Sequence, residues 1–217
     1  MKILLLALVL GQVASATTIY HVSLNTSGLI GNAAAPFALD FQLVGNQGTT
    51  VQITGFNFGA GGSPTGVPSC FGNCTGSLIG GVSMNAATGF FNEFAQAFNP
   101  GALLQFDLTF GNIVPPAPGG IDGPDGFSFA ILTGGTSGVE IPMLPGNGSF
   151  ITITLDNAVT PSITLNVNDP SMAPVIPSLG MPVVTPVTSG VPEPSTLALM
   201  GGALVVLASI RRHRFMR

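Results

Sequence analysis

Short stretches of the chain alternate strictly between apolar and polar residues. The clearest are residues 37–43 (FALDFQL), 104–110 (LQFDLTF), 127–131 (FSFAI), 151–155 (ITITL) and 163–167 (ITLNV). Period-two alternation is typical of strands with one buried and one solvated face. Turn-forming segments rich in Gly, Asn and Pro separate these stretches, such as 45–48 (GNQG), 99–101 (NPG) and 145–148 (PGNG). The pattern therefore predicts an all-β fold, an antiparallel β-sandwich of jelly-roll type.

Two places depart from simple alternation. Val51 and Ile53 are odd-numbered, whereas Phe56 and Phe58 are even-numbered, so the apolar phase changes at Gly55. Such a change indicates a β-bulge. In residues 89–99 (GFFNEFAQAFN) three phenylalanines fall on one helical face, and the segment fits either a helix or an irregular strand.

The first 16 residues, MKILLLALVLGQVASA, have the layout of a secretory signal peptide. One cation, Lys2, precedes an apolar run over residues 3–10, and the segment closes with the small residues Ala14 and Ala16 in an Ala-x-Ala cleavage pattern. The apolar run is too short to span a bilayer. We expect export through the Sec machinery and cleavage by signal peptidase after Ala16.

Charge is scarce and unevenly distributed. Charged residues make up 6% of the chain, and no Lys or Arg occurs between residues 3 and 210. The nine Asp and Glu residues lie within that same region. A body without Lys or Arg cannot neutralise phosphates, which argues against nucleic-acid binding. Its stability must come from apolar burial and backbone hydrogen bonds.

The C-terminal part changes character after Asp169. Residues 170–190 contain five prolines and no strand-length alternation, which predicts a semi-extended linker. Residues 196–210 (TLALMGGALVVLASI) are uncharged and mainly apolar, and they predict a short transmembrane helix. The cations after this run predict a cytoplasmic tail: Arg211, Arg212, Arg214 and Arg217.

The last 27 residues resemble the PEP-CTERM sorting signal of exported bacterial proteins. The resemblance rests on the order of a VPEPS segment, an apolar span and an Arg-rich end; the segment consists of Val191, Pro192, Glu193, Pro194 and Ser195. It implies processing by an exosortase, after transient residence in the inner membrane of a Gram-negative bacterium that makes exopolysaccharide. The other interpretation of the same residues is a permanent membrane anchor with a proline-containing entry.

These segments together predict a domain organisation. A signal peptide covers residues 1–16, a β-sandwich ectodomain covers 17–169, a Pro-rich linker covers 170–190 and the sorting signal covers 191–217. The mature protein would lie at the cell surface or outside the cell.

Cys70 and Cys74 frame the segment CFGNC and are the only cysteines. Outside the cytoplasm such cysteines usually pair, so we expect a structural disulfide that fixes the local loop shape. Free thiols and a metal or redox site are the alternatives, although redox motifs usually have two residues between the cysteines.

Asp122 and Asp125 lie in the segment IDGPDGFSF, directly before a strand. Asp-Gly pairs are strong turn formers, and turn chemistry is one interpretation. The other is a Ca²⁺- or sugar-binding loop, because carboxylates bind hard cations. The segment is also similar to the Asp-Gly-aromatic stretch of legume-type lectins, which implies Asp125 as the sugar-contacting carboxylate.

Catalytic candidates are few. His21 is the only histidine of the mature body, and a Ser-His-Asp or Cys-His site would have to use it. Glu93 and Glu140 are the body's only glutamates before the tail and could form a glycosidase pair. We expect a non-catalytic exported envelope or matrix protein without a cofactor. The alternatives are a secreted carbohydrate- or Ca²⁺-binding module and a secreted glycoside hydrolase.

Overall fold

The computed structural model describes residues 18–45, 48–87, 89–113, 125–141, 143–144, 148–155, 161–168 and 179–188. Thr18–Val187 form one compact unit. The second unit, Met1–Thr17 with Thr188–Arg217, lies outside the described residues apart from Thr188. Within the described ranges the protein is all-β, with a single 3₁₀ turn at Ser27–Leu29 and no α-helix. The all-β prediction is confirmed.

The strands are numbered in chain order. They are β1 Thr18–Asn25, β2 Phe37–Val44, β3 Thr50–Asn57, β4 Ser63–Pro64, β5 Ser69–Phe71, β6 Cys74–Ser77, β7 Gly81–Asn85, β8 Phe91–Asn99, β9 Leu103–Gly111, β10 Gly126–Thr133, β11 Val139–Glu140, β12 Met143–Leu144, β13 Ser149–Thr154, β14 Ser162–Leu165, β15 Val167–Asn168 and β16 Val183–Thr188.

The strands form two large sheets and a small one. A six-stranded sheet has the order β16-β1-β9-β3-β7-β6, and an eight-stranded sheet has the path β14-β13-β10-β2-β8-β4. In the second sheet β11 pairs with β10 and β5 pairs with β8, while β12 and β15 form a separate pair. The central pairings are antiparallel, including β1–β9, β3–β9, β2–β8 and β2–β10.

Phenylalanine rings join the two large sheets. Phe41 of β2 lies fully buried, and its ring centroid is 5.4 Å from that of Phe106 on β9 in an edge-to-face arrangement. Phe129 of β10 also meets Phe106, at 5.1 Å. Because these contacts run from one sheet to the other, the core lies between the sheets, as in a β-sandwich. The jelly-roll connectivity stays a prediction.

The segment that fits either helix or strand is strand β8. It pairs with β2 from Phe91 to Phe98, and Phe94 stands opposite Phe41 while Phe98 stands opposite Phe37. All four rings are buried. A helix would place Phe91 on the same face as Phe94 and Phe98, whereas the strand turns the half-buried Phe91 to the opposite face. The cross-strand partners therefore decide the conformation.

The β-bulge predicted at Gly55 is confirmed. Thr54 stands opposite Asp107 and Asn57 stands opposite Gln105, so β3 holds one residue more than β9 at this point. Gly55 has a φ of +66°, a conformation that residues with a Cβ rarely adopt. The extra residue lets both Ile53 and Phe56 face the core side of the same strand.

Strand β16 lies inside the predicted linker. Residues 170–178 lie outside the described part, but Val183–Thr188 run beside β1 at the edge of the six-stranded sheet. Leu179 is buried in the core. Pro186 fits this position because an edge strand needs hydrogen-bond donors on only one side. The predicted boundary at Asp169 therefore falls within the compact unit.

Candidate functional site

The segment 70–74 forms a tight loop at one end of the eight-stranded sheet. Cys70 and Cys74 are joined in a disulfide with their Cα atoms 5.8 Å apart, a span typical of disulfides. Cys74 is buried in the core, while Cys70 and Phe71 pair with β8. This geometry brings together the two cysteines that the sequence predicts to pair.

The buried side chain of Asn92 on β8 binds the backbone of the same loop. Its Oδ1 accepts a hydrogen bond from the backbone N of Asn73 at 2.7 Å. Its Nδ2 donates to the carbonyl oxygens of Leu43 and Gly89. A Cβ at Gly72, where φ is +78°, would lie 2.6 Å from Asn92 Oδ1, so only glycine fits. The disulfide, Gly72 and Asn92 together fix the loop in one shape.

Phe71 projects from this loop into solvent. Its side chain is 63% exposed, and its ring centroid lies 6.1 Å from that of half-buried Phe91. Glu93 stands directly opposite Phe71 in the β5–β8 pairing. Residues directly opposite share a face of the sheet, with Cβ atoms about 5 Å apart. We call Phe71, Phe91 and Glu93 the aromatic corner.

Gln96, further along β8, also binds the backbone of the segment between β3 and β7. Buried Gln96 accepts a hydrogen bond from the backbone N of Leu78 at 2.8 Å and donates to the carbonyl oxygen of Gly66 at 3.3 Å. The residues after these two anchors are the exposed aliphatics Val67 and Ile79, at 85% and 84% exposure. The long segment between β3 and β7 is thus tied to β8 by two buried amide side chains.

His21 of β1 and Asp107 of β9 form a hydrogen-bonded pair on the outer face of the six-stranded sheet. His21 Nδ1 lies 2.7 Å from Asp107 Oδ1, and the side chains are 42% and 37% exposed. Gln105 Nε2 lies 3.4 Å from His21 Nε2. A carboxylate on Nδ1 orients the ring and leaves Nε2 directed away from Asp107. The ring is therefore held between a carboxylate and an amide, and the sequence did not predict Asp107 as the partner.

Asp125 fastens the end of the long segment between β9 and β10. It is buried, and Thr49 Oγ1 donates a hydrogen bond to its carboxylate. The same hydroxyl lies 3.3 Å from the carbonyl oxygen of Asn112, at the start of that segment. A Cβ at Gly45 would lie 2.7 Å from Asp125 Cγ. These contacts give Asp125 a structural task, and a ligand role for the loop stays a prediction because Asp122 lies outside the described residues.

Several predicted residues lie outside the described part of the chain. They are the cleavage residues Ala14 and Ala16, the whole VPEPS segment, the predicted helix 196–210 and the arginines of the tail. The side chain of Glu140 is likewise not described, so the glycosidase pair of Glu93 and Glu140 stays a prediction. Among the described residues no helix is long and apolar enough to cross a membrane. In the same ranges no three His, Cys, Asp or Glu side chains gather as metal ligands.

Comparison with known proteins identifies the C-terminal segment. Residues 190–212 match the family model described as the PEP-CTERM protein-sorting motif. No curated protein and no solved structure matches the chain. The matched segment begins just before the Pro-Glu-Pro and ends within the arginine cluster, which agrees with the resemblance seen in the sequence. The chain therefore carries a PEP-CTERM protein-sorting motif at its C-terminal end.

Proposed function

We propose that the protein is an exported, non-catalytic component of the bacterial envelope or extracellular matrix, sorted by its C-terminal signal and processed by an exosortase. The observation that carries this proposal is the sorting motif at residues 190–212, with its tripeptide, apolar run and arginines in that order. The motif implies an exosortase as the processing partner. The arginines retain the tail on the cytoplasmic side while the tripeptide is recognised outside.

The route to the surface follows from the two ends of the chain. The signal peptide directs the chain to the Sec machinery, and signal peptidase releases the N-terminus. The predicted helix at 196–210 then holds the precursor in the inner membrane of a Gram-negative cell until the exosortase acts. A disulfide between Cys70 and Cys74 suits a destination outside the reducing cytoplasm. Exopolysaccharide is the expected surrounding of the mature protein.

The described body supports a binding or structural task for its β-sandwich, which we expect to have jelly-roll connectivity. Asp125 fastens a loop through Thr49, and Glu93 faces outward beside an exposed phenylalanine. His21 and Asp107 lie on the outer face of a sheet, with side chains 42% and 37% exposed. We propose that the protein needs no cofactor, with a Ca²⁺-dependent loop at Asp122 and Asp125 as the alternative.

The sorting proposal is tested by replacing Pro192, Glu193 and Pro194 together with alanine. The variant should be exported and cleaved at its N-terminus but should keep its tail, so the precursor accumulates in the membrane. Immunoblots of membrane and medium fractions, with intact-mass measurement, detect this change. The matched control replaces Pro174 and Pro177 with alanine, which removes prolines from the upstream segment and leaves the motif intact. Normal release of the triple variant overturns exosortase processing and favours a permanent anchor.

The hydrolase alternative has its own test. The protein is incubated with neutral and acidic polysaccharides, and reducing ends are measured over time. We expect no release above the level of a heat-denatured sample. Release that disappears in both Glu93→Gln and Glu140→Gln would establish a glycosidase and overturn the non-catalytic proposal.

A further inference from the structure

We propose that the aromatic corner is a binding site for a neutral polysaccharide, with a sugar ring packed on Phe71 and sugar hydroxyls donating to Glu93. This inference goes beyond the sorting proposal, because it assigns a ligand class to a specific surface of the body. The site differs from the predicted loop at Asp122 and Asp125.

The first argument is that the backbone of the disulfide loop is held in place while the ring of Phe71 is exposed. Here the disulfide joins the residues on either side of the turn, and Asn92 binds the backbone of Asn73. These contacts fix the backbone that carries Phe71 in the conformation that places its ring outside the core. A ligand that packs on this ring therefore needs to order the side chain but not the loop backbone, which lowers the entropy cost of binding.

The second argument is the shape of the apolar surface. Phe91 lies beside Phe71 with its ring tilted by 47°, so one ring face supports the other while Phe71 stays open to solvent. Phe90, just before β8, is also exposed. A sugar ring has an apolar face of C–H bonds that carry slight positive charge, and the π face of an aromatic ring is slightly negative. The exposed ring of Phe71, with Phe91 beside it, suits such a flat partner.

The third argument is the carboxylate of Glu93. The body has no Lys or Arg, and the described histidine, His21, is paired with Asp107 on the other sheet. Glu93 makes no side-chain hydrogen bond or ion pair within the described residues. A half-buried carboxylate needs hydrogen-bond donors, and the hydroxyls of a sugar that packs on Phe71 can supply them. The strands that carry Phe71 and Glu93 are neighbours, about 5 Å apart.

The charge of the surroundings selects the ligand class. Residues 57–92, which include the whole disulfide loop, contain no charged side chain. An anionic polymer would meet the carboxylate without any compensating cation, which is unfavourable. A neutral polymer meets amide, hydroxyl and apolar groups together with a single acceptor. We therefore commit to a neutral, hydroxyl-rich polysaccharide.

The test is affinity gel electrophoresis of the full-length chain in a polyoxyethylene detergent, which carries no sugar. The gels contain hydroxyethyl cellulose, dextran or laminarin as neutral probes, and alginate as the acidic probe. We expect retardation by at least one neutral polymer and none by alginate. Phe71→Ala and Glu93→Gln should each weaken the apparent affinity about tenfold, the effect of losing one well-placed contact. Circular dichroism and thermal unfolding verify that each variant keeps the fold.

Val67→Ala and Ile79→Ala are the matched controls, because they remove exposed apolar side chains that lie outside the corner. They should bind like the wild type. Equal weakening by the controls would mean that a general apolar surface binds, which overturns the corner as the site. Absence of retardation by every neutral probe also overturns the proposal. If sedimentation velocity shows a dimer that Phe71→Ala dissociates, the corner binds a second copy instead. None of these outcomes depends on tail processing, so the sorting proposal stands or fails separately.

Discussion

The side chain of Asn92 binds the backbone of Asn73, at a distance of 2.7 Å between Oδ1 and N. The contact links the second residue of β8 to the disulfide loop, and the amide's other end holds two carbonyl oxygens. Asn92 is fully buried. It therefore connects the loop to the sheet through buried hydrogen bonds.

Replacing Asn92 with alanine should destabilise the protein by about 3 kcal/mol, because three backbone groups lose their buried partner. The free energy of unfolding from urea titration measures the loss. Asn99→Ala is the control, since that residue ends the same strand in an exposed position and should change stability by less than about 0.5 kcal/mol. Equal losses in the two variants would contradict the role of Asn92 in connecting the loop to the sheet.

Phe41 should be among the most sensitive core positions. Its ring contacts Phe106 on the facing sheet and Phe129 on its own sheet, and it is fully buried. Phe41→Ala should cost about 3–5 kcal/mol, from lost burial and the cavity left behind. Phe71→Ala removes the same side chain from an exposed position and should cost less than about 1 kcal/mol. Comparable losses would show that the core does not lie where the two sheets meet.

The disulfide should be present in the mature protein and should add modest stability. Closing a loop of five residues lowers the entropy of the unfolded chain by the equivalent of about 2 kcal/mol. Without reduction, the Cys70–Cys74 peptide should be lighter than the dithiol by a pair of hydrogen atoms. Urea titration with and without reductant measures the stability change. Alkylation of both thiols before any reduction would exclude the bridge.

The pair of His21 and Asp107 should contribute little to stability. Both side chains are more than a third exposed, so water screens their attraction. A double-mutant cycle with His21→Ala and Asp107→Ala should give a coupling energy of about 0–1 kcal/mol. A coupling above about 2 kcal/mol would indicate that the pair belongs to a larger network.

Proteolysis should reveal the extent of the compact unit. Trypsin has no cleavage site between residues 3 and 210 and should spare the body even when it is unfolded. Proteinase K has no such limit and should leave a resistant fragment that extends through β16, because that strand pairs with β1. Intact-mass measurement identifies the end of the fragment. A fragment that stops near Asp169 would contradict the placement of β16, and small peptides alone would contradict a cooperative sandwich.

Local patterns in the chain were enough to predict the all-β class of the fold and the C-terminal sorting motif. Residues 37–43 and 104–110 alternate with period two because each strand has one face in the core, and this periodicity is independent of the strand's partners. The phase change at Gly55 is local in the same way, because an inserted residue shifts the apolar positions by one. The sorting motif depends on the order of residues in one continuous segment, so no folded contact is needed to recognise it.

Tertiary contacts decided the rest. Phe91, Phe94 and Phe98 fit a helix as well as a strand until β2 places Phe41 and Phe37 opposite β8. Residues 183–188 are rich in valine and include a proline, so the sequence leaves their conformation undecided. They form a strand because the edge of β1 offers hydrogen-bond partners. His21 and Asp107, 86 residues apart, become neighbours through the register of β1 and β9. The aromatic corner arises in the same way, because strand pairing sets Phe71 against Glu93, and pairing over long sequence separations leaves no periodic signal in the chain itself.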